Sequence, residues 1–201
     1  MTSEPTRIYF DFVDPLSYLV ARELTDLTEA DMAAVVWLPF ELRPPPTPLI
    51  TTSDPSLADR WRQARAEASR MGIELAPAEL VPWTRKAHEL MVHAGDGSGT
   101  LRMRIWEAYL IHGQDIGRVD VLVGLARDAG LDATESKAVL DVDRYEAEVA
   151  ELRGDALAAD VRDAPTIVRG SRRIEGFHNR TALGTFLRTS LQTTDDPNAP
   201  D

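Results

Sequence analysis

The chain has 201 residues, 43% apolar and 27% charged, which suits one domain or one domain with a sizeable insertion. A core of that size needs no disulfide or metal staple, and the absence of cysteine excludes thiol nucleophiles, Cys-ligated zinc, iron–sulfur clusters and intrinsic disulfide exchange. With 33 Asp and Glu against 22 Lys and Arg, the net charge of -11 repels phosphate backbones and speaks against nucleic acid as a partner.

Met1 to Arg7 shows no basic segment leading into an apolar one, which predicts no signal peptide. The longest apolar run, Met32 to Phe40, falls far short of the ~20 residues of a membrane span, so no membrane partner and a cytoplasmic location are expected. Arg7 to Val13 is β-branched and aromatic, the composition of a buried strand. Asp14-Pro15 reads as the N-cap and first residue of a helix running through Leu16, Leu19, Val20, Leu24 and Leu27. A second strand is predicted over Ala33 to Phe40, completing a βαβ unit with a parallel pair.

The Pro-rich stretch Arg43 to Pro48 stops regular structure, and from Ser53 to about Asp160 the pattern is helical almost throughout. Helices are predicted after Ser53-Asp54-Pro55, after Pro82-Trp83-Thr84, over Leu101 to His112, over Val119 to Ala129, after the capping box Asp132 to Glu135, and over Asp143 to Asp160. Within the first of these, Arg60 to Glu67 interleaves bases and acids in the manner of a solvated face. Pro165 to Arg169 and Arg172 to Glu175 form a hairpin around Gly170-Ser171, and a last helix spans Asn179 to Leu191. The order β-α-β, helical insertion, β-β-α is that of an α/β thioredoxin-like fold with an all-helical insertion. Its expected organisation is 1–50 and 161–191 as the thioredoxin-like part, 51–160 as the insertion, and 192–201 as a disordered tail.

Ile8-Tyr9-Phe10-Asp11-Phe12-Val13-Asp14-Pro15-Leu16-Ser17-Tyr18-Leu19 resembles the first strand and active-site helix of the DsbA superfamily. The branch it is most similar to holds the FrnE-like oxidoreductases, 2-hydroxychromene-2-carboxylate isomerases and kappa-class glutathione transferases. Leu80 to His88 and Trp106 to Ile116 resemble the FrnE-like insertion, in which an Asn-Thr pair stands near Trp83-Thr84. Asp163-Ala164-Pro165-Thr166 is similar to the loop whose cis-proline faces the active-site helix. The resemblance implies a cis Pro165 that presents the Ala164 backbone to a bound partner, and a homodimer.

Asp14-Pro15-Leu16-Ser17 stands where FrnE-like oxidoreductases carry Cys-Pro-Trp-Cys, so the chain cannot cycle a disulfide of its own. Kappa transferases and chromene isomerases have a thiolate-steadying Ser at the first of these positions. An ionised Asp14 is acceptor-only and would repel a thiolate. Glutathione-using relatives also have Gly-x-Asp-Arg after the hairpin, where this chain reads Gly176-Phe177-His178-Asn179. Both departures count against glutathione, and no other cofactor is implied.

Asp14 reads either as a general acid/base or as a plain N-cap, which as a capping carboxylate would be strongly acidic. Ser17 reads either as a ligand hydrogen-bonder or as a helical Ser bonded to its own preceding carbonyl. Trp83 and Thr84 are expected at the wall of the cleft, Trp83 narrowing it or turning it toward aromatic ligands. Trp37 and Trp106 read as core or cleft wall. His178 is expected at the rim of the ligand cleft or as a surface His, while His88 and His93, five apart, lie on different helix faces and predict no metal site. The resulting expectation is a FrnE-like oxidoreductase/isomerase homologue that acts on or binds a small organic molecule between its two subdomains, with Asp14 and Ser17 catalytic and Trp83, Thr84, Ala164, Pro165 and His178 binding. The alternative is a catalytically degenerate protein that binds a ligand or a partner.

Overall fold

The computed structural model describes residues 5–25, 27, 35–95 and 98–188. The apolar run at its N-terminus forms β1 (Thr6–Phe10), which lies inside a four-stranded sheet and is buried over four of its five residues. β1 pairs in parallel with β2 (Val35–Pro39), with Ile8 opposite Trp37. On its other side β1 runs antiparallel to β5 (Thr166–Arg169), which turns through Gly170 and Ser171 into β6 (Arg172–Glu175). The spatial order is β2-β1-β5-β6, the mixed sheet expected of a thioredoxin-like fold.

Between β1 and β2 runs α1 (Pro15–Leu24), capped by Asp14 in an extended conformation with Pro15 in the first turn. Its residues Pro15 to Ala21 are all buried, because the helix is enclosed by the sheet and by helices on several sides. Between β2 and β5 come β3 (Ile50–Thr51), a 3-10 turn over Pro55–Leu57, α2 (Ala58–Arg70), β4 (Leu80–Val81), α3 (Arg85–Ala94), α4 (Gly99–Leu110), α5 (Val119–Asp128), α6 (Ala133–Asp141) and α7 (Glu146–Ala158). α8 (Arg180–Arg188) follows the hairpin, and α2, α4 and α8 all pack on α1.

The largest core cluster joins Phe10, Phe12, Leu16 and Leu19 to Leu90, Ile105, Trp106 and Leu122 of the helical segment. Ile8, Val20, Ile167, Leu183 and Phe186 form a second cluster beneath α8, and Tyr9, Phe40, Ala156 and Val161 form a third. Trp106, fully buried, edges against Phe10 with centroids 5.1 Å apart and donates from Nε1 to the Asp11 carbonyl at 3.1 Å.

Several element ends differ from the sequence expectation. α1 stops at Leu24 rather than Leu27, and the Ala33 and Ala34 expected in β2 lie outside the described residues, as do 189–191 of the last helix and the tail 192–201. α7 spans Glu146–Ala158 rather than 143–160 because Asp143 and Asp160 sit in left-handed backbone, at φ 53° and 61°, which ends a right-handed helix. The helical segment also contains an antiparallel pair that the sequence pattern did not announce, Ile50 opposite Val81 and Thr51 opposite Leu80. Strands of two residues are too short to show an alternation of apolar and polar positions. Among the described residues no helix is long and apolar enough to cross a membrane.

Candidate active site

Asp14 occupies the N-terminus of α1, where the backbone N–H groups of the first turn have no helical partners. Its Oδ2 accepts from the Ser17 backbone N–H at 2.7 Å and from the Ser17 hydroxyl at 2.6 Å. Ser17, fully buried, therefore spends its hydroxyl on Asp14 rather than on a preceding carbonyl. Asp14 Oδ1 makes no hydrogen bond among the described residues and faces the Arg60 guanidinium, whose Nε lies 3.4 Å away.

The side chain of Asp14 is fully buried, and this decides its acidity. Burial raises its pKa from 3.8 to about 6, against the pull of Arg60 and of the Ser17 hydrogen bonds, with the Asp163 charge adding to the rise. The expectation of a strongly acidic capping carboxylate is thus corrected. Removal from water outweighs the cap, and the Asp14 pKa stands well above the ordinary carboxylate range.

Arg60, in the first turn of α2, is the residue that organises the site. Nη1 donates to Asp163 Oδ1 at 3.0 Å, and Nη2 donates to both Asp163 oxygens and to the Ala164 carbonyl, each at 2.8 Å. One guanidinium therefore joins the cap of α1 to the loop before β5, in the planar fork that suits Arg and not Lys. The Ala164–Pro165 bond is cis, as the resemblance implied. The Ala164 backbone is nonetheless engaged internally, its N–H donating to Asp163 Oδ1 at 2.9 Å and its carbonyl accepting from Arg60.

The reading of Arg60 to Glu67 as a solvated face is corrected at this point. Arg62 and Asp59 are exposed, but Trp61, Ala64 and Ala68 are buried, and the Arg60 side chain is only 21% exposed. The signal was present in the spacing: Trp61, Ala64 and Ala68 at steps of three and four define an inward stripe, and Arg60, four before Ala64, flanks it. Asp163 had no comparable signal, since its partner lies 103 residues away.

The other sequence candidates make their contacts elsewhere. Trp83 donates from Nε1 to the Thr47 carbonyl at 2.8 Å and lines a surface cavity of about 420 Å³ with Leu49, Leu80 and Pro82. Thr84 is buried at the start of α3, and its hydroxyl caps no helical N–H. His178 is partly buried, with Nε2 3.2 Å from the Glu175 carbonyl. The contacts that assemble the site run through Asp14, Ser17, Arg60, Asp163 and Ala164.

A second buried polar group lies behind the first. Asp11 accepts from the Phe12 and Leu42 backbone N–H groups at 2.7 Å each, and His88 Nε2 stands 3.3 Å from its Oδ1. Arg85 Nε donates to the buried Glu41 at 2.7 Å; burial raises the Glu41 pKa, with His88 and Arg85 pulling it down. These groups fasten β1 and the segment after β2 to α3.

A family profile for the DSBA-like thioredoxin domain matches residues 7–187. The chain belongs to the DSBA-like thioredoxin domain family. An uncharacterized Bacillus subtilis protein, YwbO, is 28% identical over 181 residues, covering 85% of this chain and 88% of that protein. Among solved structures, a probable DsbA oxidoreductase from Streptomyces coelicolor aligns with TM-score 0.73 and 22% identity over 98% of this chain and 99% of its own. A 2-hydroxychromene-2-carboxylate isomerase aligns with TM-score 0.71 and 18% identity over 85% of this chain and 88% of its own. The cytosolic disulfide reductase DsbM of Pseudomonas aeruginosa aligns with TM-score 0.64 and 16% identity, over 91% and 96%. These structures share the fold. The DSBA-like domain described here has no cysteine, so its chemistry is not thiol–disulfide exchange by its own residues.

Proposed function

We propose that this DSBA-like protein binds a small organic molecule at the Asp14 site and uses Asp14 as a proton donor and acceptor in isomerase- or transferase-like chemistry. The observation that carries the reading is the Asp14 carboxyl, fully buried at the N-terminus of α1 beside the cis-proline loop with Oδ1 free of hydrogen bonds among the described residues, where burial raises its pKa to about 6. A carboxyl whose pKa is raised toward the working pH takes and returns a proton more readily than an ordinary carboxylate. Ser17 fixes one carboxyl oxygen and leaves the other turned toward Arg60. Access to Asp14 requires Arg60 to turn away, and its Asp163 partner is half exposed, so an anionic group on the ligand can replace Asp163 in the guanidinium fork.

Glutathione does not fit this site. The Ala164 N–H and carbonyl that would receive a peptide-like ligand are already bonded, and a carboxyl occupies the place of a thiolate-steadying hydroxyl. A cytoplasmic location belongs to the proposal, supported by the kinship in fold with a reductase described as cytosolic. A homodimer is carried by the family resemblance alone.

The Arg60 contacts also favour a second reading, binding without turnover, because they close the site over Asp14. One structural neighbour isomerises 2-hydroxychromene-2-carboxylate, a carboxylated aromatic, and that compound is a direct probe. Incubated with the native protein without glutathione, it should raise the melting temperature and isomerise above the background rate. Asp14→Asn should keep the first effect and lose the second. Binding without conversion favours the second reading, and neither effect contradicts both for this substrate class. A rise in melting temperature with reduced glutathione alone would overturn the argument against that cofactor.

A further inference from the structure

A cavity of about 460 Å³ opens between the outer edge of β2 and the helices α3, α4 and α7. That volume lies in the range of small-molecule sites, roughly 300–1,000 Å³. Asp14, Ser17, Arg60 and Asp163 are not among its lining residues, so it is separate from the site above. Its walls join the apolar side chains of Val36, Leu38, Met91, Val92 and Leu152 to a comparable share of polar surface, and among the described residues β2 is the edge strand of the sheet.

Into this mixed lining the fold places one cation. Arg102 lines the cavity from α4, with its guanidinium carbon 4.4 Å from the centroid of the Trp37 ring. Among the described residues its Nε, shut off from water, makes no hydrogen bond, and its guanidinium makes no ion pair. Burial pulls its pKa down to about 10, with no neighbouring charge contributing, and it remains a cation at neutral pH. A partly buried guanidinium to which no described residue supplies a counter-charge is a place where a bound anion is favoured. Glu148, on the cavity rim, is exposed and does not pair with it. The start of α4 adds to the positive field: Ser98 and Gly99 line the same cavity, and the Ser98 side chain caps no helical N–H.

We propose that this cavity binds a small organic anion, a carboxylate joined to a flat apolar body, whose carboxylate pairs with Arg102. The apolar part would lie against Val36, Leu38, Met91, Val92 and Leu152, with the anion at the Arg102 end. The site needs no residue of the Asp14 centre, and its occupancy is independent of any turnover there.

The test is isothermal titration of the whole protein with 1-naphthylacetate and with its neutral isostere 1-naphthylacetamide, at pH 7.5. The acid should bind and the amide should bind at least about tenfold more weakly, the scale of a lost charge-assisted hydrogen bond. Arg102→Met should abolish that preference, and its apolar replacement leaves no buried charge to disturb folding. Leu152→Trp fills the cavity without touching the charge and should abolish binding of the acid. Asp14→Asn should bind the acid as the native protein does, which separates this site from the one proposed for chemistry. Equal binding of acid and amide, or an undiminished acid affinity in Arg102→Met or in a folded Leu152→Trp, would overturn the proposal, as would absence of binding by the native protein.

Discussion

Asp14 is a carboxyl whose surroundings oppose its charge: water is excluded, and only Arg60 and Ser17 lean the other way. The folded chain therefore holds the Asp14 proton more tightly than the unfolded chain, and the sign of the pH effect follows. The stabilisation from this group is complete below pH 3.8 and is lost as pH rises through about 6. Moving a pKa between those two values corresponds to a stability change on the order of 3 kcal/mol. Glu41 and Glu89 are raised in the same direction, so the native protein must be compared with Asp14→Asn to isolate the one group. Urea denaturation at a series of pH values should show native stability falling between pH 4 and 7 more steeply than that of the variant. Parallel curves would contradict the assignment.

At the scale of elements, Arg60 fastens α2 to the cap of α1 and to the loop before β5, a junction between the inserted helices and the thioredoxin unit. Arg60→Met should destabilise by about 1–3 kcal/mol, below the figure for a fully buried pair because Asp163 is half exposed. Circular dichroism melts of the two proteins check this, and an unchanged melting temperature would count against the junction. The helices themselves were legible, since Leu16, Leu19, Val20 and Leu24, or Ala87, Leu90 and Met91, repeat at three and four, and the hairpin turn at Gly170-Ser171 needed only its two residues. The limits of α7 were not legible, because Asp143 and Asp160 adopt a left-handed backbone that composition does not encode. Asp14 and Ser17 were legible as a cap and a first-turn residue. Their mutual hydrogen bond and the raised pKa depend on burial by α2, which only the tertiary structure supplies.

At the scale of the whole molecule, the inserted helices and the thioredoxin strands share one core. Phe10 and Phe12 from β1 and its sequel pack directly on Trp106 of α4, and Phe12 also lies against His88 of α3 with centroids 4.9 Å apart. Neither part closes this aromatic cluster without the other. Thermal unfolding followed by far-ultraviolet circular dichroism and by tryptophan fluorescence should give coincident transitions, and two resolved transitions would show independent units. This architecture stands without a cysteine, because the packing around α1 is carried by Leu16, Tyr18, Leu19 and Val20. At the N-terminus of α1 a protonatable carboxyl stands under a guanidinium.

Direct titration of the Asp14 carboxyl tests this account most closely. Carbon-13 NMR of aspartate-labelled protein, with Asp14→Asn supplying the assignment, should give a pKa of about 6, and Arg60→Met should move it upward because the guanidinium pulls it down. A native pKa at or below the ordinary 3.8, or a downward move in Arg60→Met, would contradict the account and leave Asp14 as a helix cap alone.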